Sequence, residues 1–288
     1  MHIFHTIADF RRWHSSLGGA RLVLVPTMGA LHEGHLNLMR EARTLAGEGG
    51  RVAVTIFVNP LQFGPKEDFS KYPRELDADA AKCDSVGVEA IFAPNAAEMY
   101  APDRSVMVLE TKLSKVLCGA SRPGHFDGVC TVVLKLFNIT QPHAAVFGKK
   151  DYQQLAIIRR MVRELDVPIE LVGSETVREP DGLAMSSRNR YLSSEERSQA
   201  PAIRKALLLA RAAWEKGETN PSTLKGILLS EIRNHAPLGR IDYIECTDAD
   251  SLESVYEVKQ NGLLAVAVFF GTTRLIDNIE LKHGAPPK

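Results

Sequence analysis

The sequence predicts an α/β chain, with a doubly wound (Rossmann-like) parallel-sheet N-terminal domain followed by a smaller α+β C-terminal domain. Three observations carry that expectation. Up to about residue 175, short apolar runs alternate with longer amphipathic stretches, the pattern of strands and helices in turn. The first of these runs, Leu22-Val23-Leu24-Val25, is continuously apolar, as a parallel strand buried on both faces must be. Beyond residue 175 the alternation stops, and helical segments are followed by three strand-like runs.

The elements follow in order. Residues 35–46 carry Leu36, Leu38, Met39, Ala42 and Leu45, a spacing that suits a helix. The β-branched stretch 52–58 (VAVTIFV) reads as the second strand and 86–92 as the third. Residues 106–109 and 144–147 are further strand candidates, with helices expected over 128–140 and 152–165 and another strand over 169–172. Ser193 is placed to cap a helix whose third position is Glu196. That helix is expected to run to about residue 216, with a second one after Pro221. Strands are expected over 241–246, 263–270 and 274–281.

Composition narrows the class. A chain of 288 residues accommodates one large or two modest domains. With 35 basic and 35 acidic residues the formal charge is zero, so there is no electrostatic case for nucleic acid or an anionic membrane surface as partner. Cys83, Cys118, Cys130 and Cys246 lie far apart without a C-x-x-C pair, which favours reduced thiols and a cytoplasmic location. The N-terminus has no apolar run long enough for a signal peptide, and the most apolar stretch, 263–270, is far too short to span a membrane.

The segment PTMGALHEGH, from Pro26 to His35, leaves the first strand and enters the first helix. Its glycines let backbone approach a ligand, and a helix start offers N–H groups and partial positive charge to a phosphate. His32 and His35 are spaced to project from one side of a helical turn, where imidazoles donate to phosphate oxygens. A zinc-protease H-E-x-x-H is excluded because Leu36 stands four residues after His32. Neither G-x-G-x-x-G nor a G-x-x-x-x-G-K-[ST] loop is present. Two solvated loop histidines would be the plainer reading, but their place after a first parallel strand favours nucleotide handling. The residues alone support a nucleotide-handling α/β enzyme.

The H-x-G-H signature resembles the nucleotidyltransferase and class I aminoacyl-tRNA synthetase superfamily, and the full PTMGALHEGH string is similar to that of the pantothenate synthetases. FVNPLQFGP at 57–65, RPGHFDGV at 122–129, FGKKDYQQL at 147–155 and MSSRNRYLS at 185–193 agree, in the family's order. The resemblance implies condensation of pantoate with β-alanine at the expense of ATP, through a pantoyl adenylate, releasing AMP and pyrophosphate. It implies a catalytic pair, His35 as proton donor and His32 on the phosphates, and Mg2+ with the nucleotide. ATP would contact Met28, Gly29, Ala30, Leu31, His32, Glu33, Gly34 and His35, then Gly148, Lys149, Lys150 and Asp151, and finally Val177, Met185, Ser186, Ser187 and Arg188. Gln62 and Gln154, with Asn59, would bind pantoate and β-alanine. A neutral amide suits this because it both donates to and accepts from hydroxyl groups.

Several points stay open at this level. Asp151 is also placed to cap the helix after it. The family often has an acid where this chain has Lys149, whose role is undecided. Arg122 is a candidate further cation of the site. Asp77 and Asp79 are either magnesium ligands or solvated helix charges, the second being favoured. The implied organisation is an ATP- and pantoate-binding domain over 1–175 with a lid over 176–288, in a homodimer. A nucleotidyltransferase or an ATP-binding sensor are the competing classes; two substrate glutamines speak against the first and a reactive histidine pair against the second.

Overall fold

A computed structural model of the chain describes residues 1–65, 67 and 69–282. They form two compact units, one of residues 1–114, 122–149 and 154–175, the other of residues 115–121, 150–153 and those from 176 onward. In chain order the elements of the first unit begin with β1 (His2–Phe4), α1 (Ile7–Ser15), β2 (Leu22–Thr27), α2 (Glu33–Ala46) and β3 (Arg51–Ile56). Next come α3 (Leu76–Ser85), β4 (Ala90–Phe92) and α4 (Ala96–Met99). The short α5 (Leu117–Ser121) clusters with the second unit, after which α6 (His125–Thr140), β5 (Ala144–Gly148), α7 (Tyr152–Glu164) and β6 (Glu170–Ser174) follow.

The six strands make one sheet in the order β1-β4-β3-β2-β5-β6. Every neighbouring pair is parallel. Leu22, Val23, Leu24 and Val25 are all fully buried, the consequence of covering a parallel strand on both faces. Adjacent residues show the two layers directly. Ile91 and Val146 pack with Met39, Ala42, Ala80 and Cys83 of α2 and α3. Their neighbours Phe92 and Phe147 instead meet Phe10 of α1 and Phe137 of α6, because successive side chains of a strand point to opposite faces. This is a doubly wound α/β fold.

The strand order reverses at β2, which pairs with β3 on one side and with β5 on the other. In open α/β sheets the loops leaving the carboxyl ends of the strands at such a reversal form a ligand crevice. Here those loops are the ones after Thr27 and after Gly148.

The second unit is built from α8 (Ser194–Gln199), α9 (Ala202–Glu215), α10 (Pro221–His235) and the strands β7 (Gly239–Asp248), β8 (Gly262–Phe270) and β9 (Thr273–Leu281). The strands form an antiparallel meander, β7-β8-β9. Leu207 of α9, Leu228 and Ile232 of α10 and Val266, Leu275 and Ile279 of the sheet share one core. The Trp214 indole N–H, buried in it, donates to Val258 O at 2.8 Å, so its polar atom is satisfied.

Four differences from the expected elements have physical causes. β1 was not expected; three residues are too few for a periodicity to register. The third strand starts at Ala90 rather than at 86, because Val86-Gly87-Val88 close α3 in a Schellman turn. In it Gly87 has φ +75, and the N–H groups of Gly87 and Val88 donate to Asp84 O and Cys83 O. Residues 106–109 form no strand: Val106, Met107 and Leu109 are exposed, and the Val108 N–H donates to Thr131 Oγ1. The long helix expected from Ser193 is broken, since α8 ends at Gln199 and α9 begins at Ala202. Pro201 lies in the gap, and a proline has no N–H to continue the ladder. The capping box of Ser193 and Glu196 is present.

Candidate active site

In the turn from β2 into α2 the chain uses left-handed backbone twice, at Gly29 (φ +82) and at Ala30 (φ +51). A Cβ on Gly29 would stand 3.0 Å from Asp79 Oδ2 and 3.1 Å from Ile56 Cγ2, so any other residue would strain the backbone and crowd both neighbours. For Ala30 the same conformation costs roughly 1–2 kcal/mol, which the surroundings must offset. They do so through Asp79: the Ala30 and Leu31 N–H groups each donate to one of its oxygens, both at 2.8 Å. The sequence left Asp79 as a metal ligand or a solvated charge; it is neither exposed nor free, being 1% accessible with both oxygens engaged by backbone.

α2 opens with a capping box made of histidines. His32 Nδ1 accepts from the Gly34 N–H at 3.1 Å, and His35 Nδ1 accepts from the His32 N–H at 3.3 Å. An acceptor nitrogen carries no proton, so each neutral ring holds its proton on Nε2. The two ring centroids are 4.0 Å apart. The turn therefore presents paired imidazole N–H donors, not a row of bare amides. Gly29 N–H donates to Thr27 Oγ1, and the amides of Ala30, Leu31, His32, Gly34 and His35 all have protein acceptors. Those amides, which the sequence offered to an anion as unpaired donors, are thus engaged within the protein.

The glutamine of the FVNPLQFG segment sits beside this turn. Gln62 is nearly buried, and its amide N–H points to Met28 Sδ at 3.0 Å while its oxygen accepts from Asn59 Nδ2 at 3.0 Å. Asn59 also donates to Gly128 O at 3.1 Å, and its own oxygen accepts from Tyr100 Oη at 2.8 Å. Burial pushes the Tyr100 phenol up to about 12, so it remains a donor across physiological pH. The structure thus brings together Met28, Asn59 and Gln62 with the histidine turn.

The segment 122–128 proves to be scaffold for that glutamine. His125 Nδ1–H donates to Gln62 O at 2.7 Å, which leaves Nε2 to accept from Arg122 Nη1 at 3.0 Å. Arg122 grips Glu67 with two bonds, at 2.7 and 2.6 Å, and adds a longer one, 3.4 Å, to Gln62 O. Burial alone would raise the Glu67 carboxyl, but the bonds and charge of Arg122 outweigh it and hold it below its ordinary 4.5. Arg122 is thus engaged by Glu67, His125 and the Gln62 carbonyl. Gly128 is needed for a different reason: a Cβ there would lie 2.2 Å from Leu61 O. Asp79, Glu67, His125 and Gly128 act on residues tens of positions away, a separation that leaves no local spacing to detect.

Gly148 ends β5, next to β2 in the sheet, and Lys149 follows it, paired with Glu175. Asn278 Nδ2 donates to Lys150 O at 2.9 Å. Asp151 is exposed and ends the 3-10 turn Lys149–Asp151, directly before α7. Of the adjacent glutamines, Gln153 is buried between Val116 O and the Cys118 N–H, whereas Gln154 is half-buried. The half-exposed Glu33 pairs with Arg40 on the surface of α2. In the second unit, Val177 and Met185 are joined, the Met185 N–H donating to Val177 O at 3.0 Å. Ser186 caps the short 3-10 turn Ser187–Tyr191 by accepting from the Arg188 N–H. Arg178 anchors this hairpin through two bonds, 2.7 and 2.9 Å, to the buried Asp277.

Comparison with known proteins decides the family. The family model described as Pantoate-beta-alanine ligase matches residues 2–280. The chain belongs to the pantoate–β-alanine ligase family. It is an enzyme of that family, a ligase of pantothenate synthesis. It is 52% identical to the pantothenate synthetase of Akkermansia muciniphila over 90% of this chain and 92% of that protein. With the pantothenate synthetase of Trichlorobacter lovleyi the identity is 50% over 98% and 99%. The crystal structure of pantothenate synthetase from Thermus thermophilus superposes with a TM-score of 0.92 at 43% identity, covering 98% of this chain and all of that one. The pantoate-beta-alanine ligase of Francisella tularensis, crystallised in complex with beta-gamma ATP and beta-alanine, gives 0.79 at 32% identity over 99% of both chains.

The clearance at Gly128 yields a direct test. Gly128→Ala must push residues 60–62 off α6, and is expected to destabilise the protein by roughly 1–3 kcal/mol in chemical denaturation. A variant as stable as the parent would show that the Gln62 segment does not depend on that close approach.

Proposed function

We propose that this ligase condenses pantoate with β-alanine, using ATP and passing through a pantoyl adenylate, with AMP and pyrophosphate as the other products. One observation carries the reading: two imidazoles with their protons on Nε2 stand side by side at the carboxyl end of β2, where the strand order reverses. In the first step a pantoate carboxylate oxygen attacks the α-phosphorus and pyrophosphate leaves. His32 and His35 would donate to phosphate oxygens as charge moves onto the departing group. In the second step the neutral amine of β-alanine attacks the acyl carbon; the amide bond forms, its nitrogen loses a proton, and AMP departs with the bridging oxygen. Carboxylate and amine do not condense readily in water, and AMP is a far better leaving group than oxide.

Gln62 and Gln154 are assigned to pantoate, with Asn59 holding the first of them; the family match, the buried amide of Gln62 and the half-buried one of Gln154 support this. Gly148 to Asp151, Val177 and the run Met185, Ser186, Ser187, Arg188 are assigned to ATP on the resemblance. Among the described residues no group of three or more His, Cys, Asp or Glu side chains could hold a metal ion, and Asp79 is fully engaged. The Mg2+ of the reaction is therefore taken to arrive on the nucleotide, as part of that substrate. No described helix is long and apolar enough to cross a membrane, and the four cysteines are unpaired buried thiols, which supports a cytoplasmic enzyme. The resemblance supports a homodimer, which sedimentation measures.

Stepwise adenylation predicts that pantoate alone supports exchange of labelled pyrophosphate into ATP, without β-alanine. Label in the pantoate carboxylate should appear in AMP. Exchange that requires all three substrates would refute the stepwise route, and a product retaining the nucleotidyl group would reassign the enzyme as a nucleotidyltransferase.

Gln62→Ala and Gln154→Ala are expected to weaken pantoate far more than ATP, by ~1–3 kcal/mol where the substrate hydroxyl is left dry. Equal losses for the two substrates would count against the assignment. For the nucleotide segment, the double change Ser187→Ala and Arg188→Ala should lower exchange about 10²-fold with little change in thermal stability. Near-normal exchange would remove that segment from the site.

A further inference from the structure

The nucleotide turn holds a feature that the reaction itself does not explain: its anion-binding backbone already contains an anion. Left-handed conformations at Gly29 and Ala30 turn the Ala30 and Leu31 N–H groups to one side, the arrangement that elsewhere cradles phosphate. Here both donate to the buried Asp79 carboxylate, one to each oxygen. One turn along α3, Lys82 Nζ donates to Leu31 O at 2.8 Å and lies 3.8 Å from Asp79 Oδ1. The peptide groups on either side of Leu31 are thus held from a single helix, the N–H by Asp79 and the carbonyl by Lys82. The next residue is His32, whose own N–H fixes the His35 ring and whose ring is fixed by Gly34.

We infer that Asp79 and Lys82 are positioning residues for the histidine pair: they hold residues 30–31 so that His32 and His35 both present Nε2–H. The inference rests on the proposed role of that pair at the nucleotide, but the geometry can be tested apart from activity. Asp79→Asn keeps the shape and removes one acceptor, setting an amide NH2 against a backbone N–H. The buried turn then has a donor facing a donor, and the left-handed backbone at Ala30 loses what holds it.

The direct test is nitrogen-15 NMR of the histidine rings. In the parent, His32 and His35 should show the shifts of the Nε2–H tautomer. Asp79→Asn should move both towards an average of tautomers, and Lys82→Met should do the same to a lesser degree. Unchanged ring shifts in both variants would overturn the inference. Where Asp79→Asn does not fold, Lys82→Met decides alone, since that side chain is 40% exposed and can be shortened without opening the core.

Pantoate-dependent pyrophosphate exchange gives the second readout. Asp79→Asn is expected to lower turnover ~10-fold or more, as displaced catalytic groups do, while the KM for pantoate and the half-saturating Mg2+ stay within about 2-fold. A several-fold rise in the Mg2+ requirement would make Asp79 a metal ligand instead and overturn the assignment. Normal ring tautomers with no exchange in the parent enzyme would refute the proposed reaction and leave the positioning role standing.

Discussion

Strand β2 is hydrogen-bonded along both edges, to β3 and to β5, with Leu22 to Val25 sealed on both faces. Because the chain winds outward from it in both directions, the loops after β2 and after β5 leave neighbouring strands at the same end with no helix crossing between them. The site needs that gap. The apolar run that fills β2 fixes the register and level at which Thr27 and Gly148 emerge, and Gly29, Ala30 and the two histidines inherit their positions from it. A polar residue in this run would be buried without a partner, so the sequence has little freedom there.

What the chain does at the end of β2 differs from the general scheme of a helix N-terminus receiving phosphate. The amides of Ala30, Leu31, His32 and Gly34 are spent on internal acceptors, and beside them stand two imidazoles whose tautomer the backbone sets. This arrangement has a chemical consequence. A backbone N–H can only donate a hydrogen bond, whereas an imidazole can also carry a second proton and give it up, which suits a leaving group that gains charge. The Gln62 amide is likewise engaged, its oxygen by Asn59 and its N–H on Met28 Sδ, while Tyr100 in turn holds Asn59.

Much of the fold was legible because its signals are local. The unbroken apolar run of β2, the β-branched β3, the Ser193–Glu196 capping box and the alternation along β9 each declare themselves within ten residues. The errors arose where a neighbour outside the segment decides. Residues 106–109 have strand composition but no strand beside them, and Val108 bonds to a threonine side chain instead. The histidine turn and the glutamines were visible as strings, since residue type and order survive without structure. Asp79 was misread because an acid on an exposed-looking helix and an acid filling a backbone cradle share the same sequence; only the partner, 49 and 48 residues away, separates them.

The residues that hold the site in place share a logic that the substrate-facing ones do not. Gln62 is steadied through its carbonyl by His125 and, at longer range, by Arg122, with Glu67 balancing the guanidinium; the histidine turn is steadied by Asp79, with Lys82 beside it. Each clamp is an oppositely charged pair aimed at backbone groups, where charge-assisted bonds are about twice as strong as neutral ones. Burying such a pair costs desolvation, so it brings geometric definition more than net stability. Pairing also cancels the formal charge of each clamp. A lone Asp79 carboxylate would repel a polyphosphate, and a lone Arg122 would bind one wherever it happened to point. With both neutralised, the field at the turn is left to neutral amides and imidazoles, whose strength lies in their orientation.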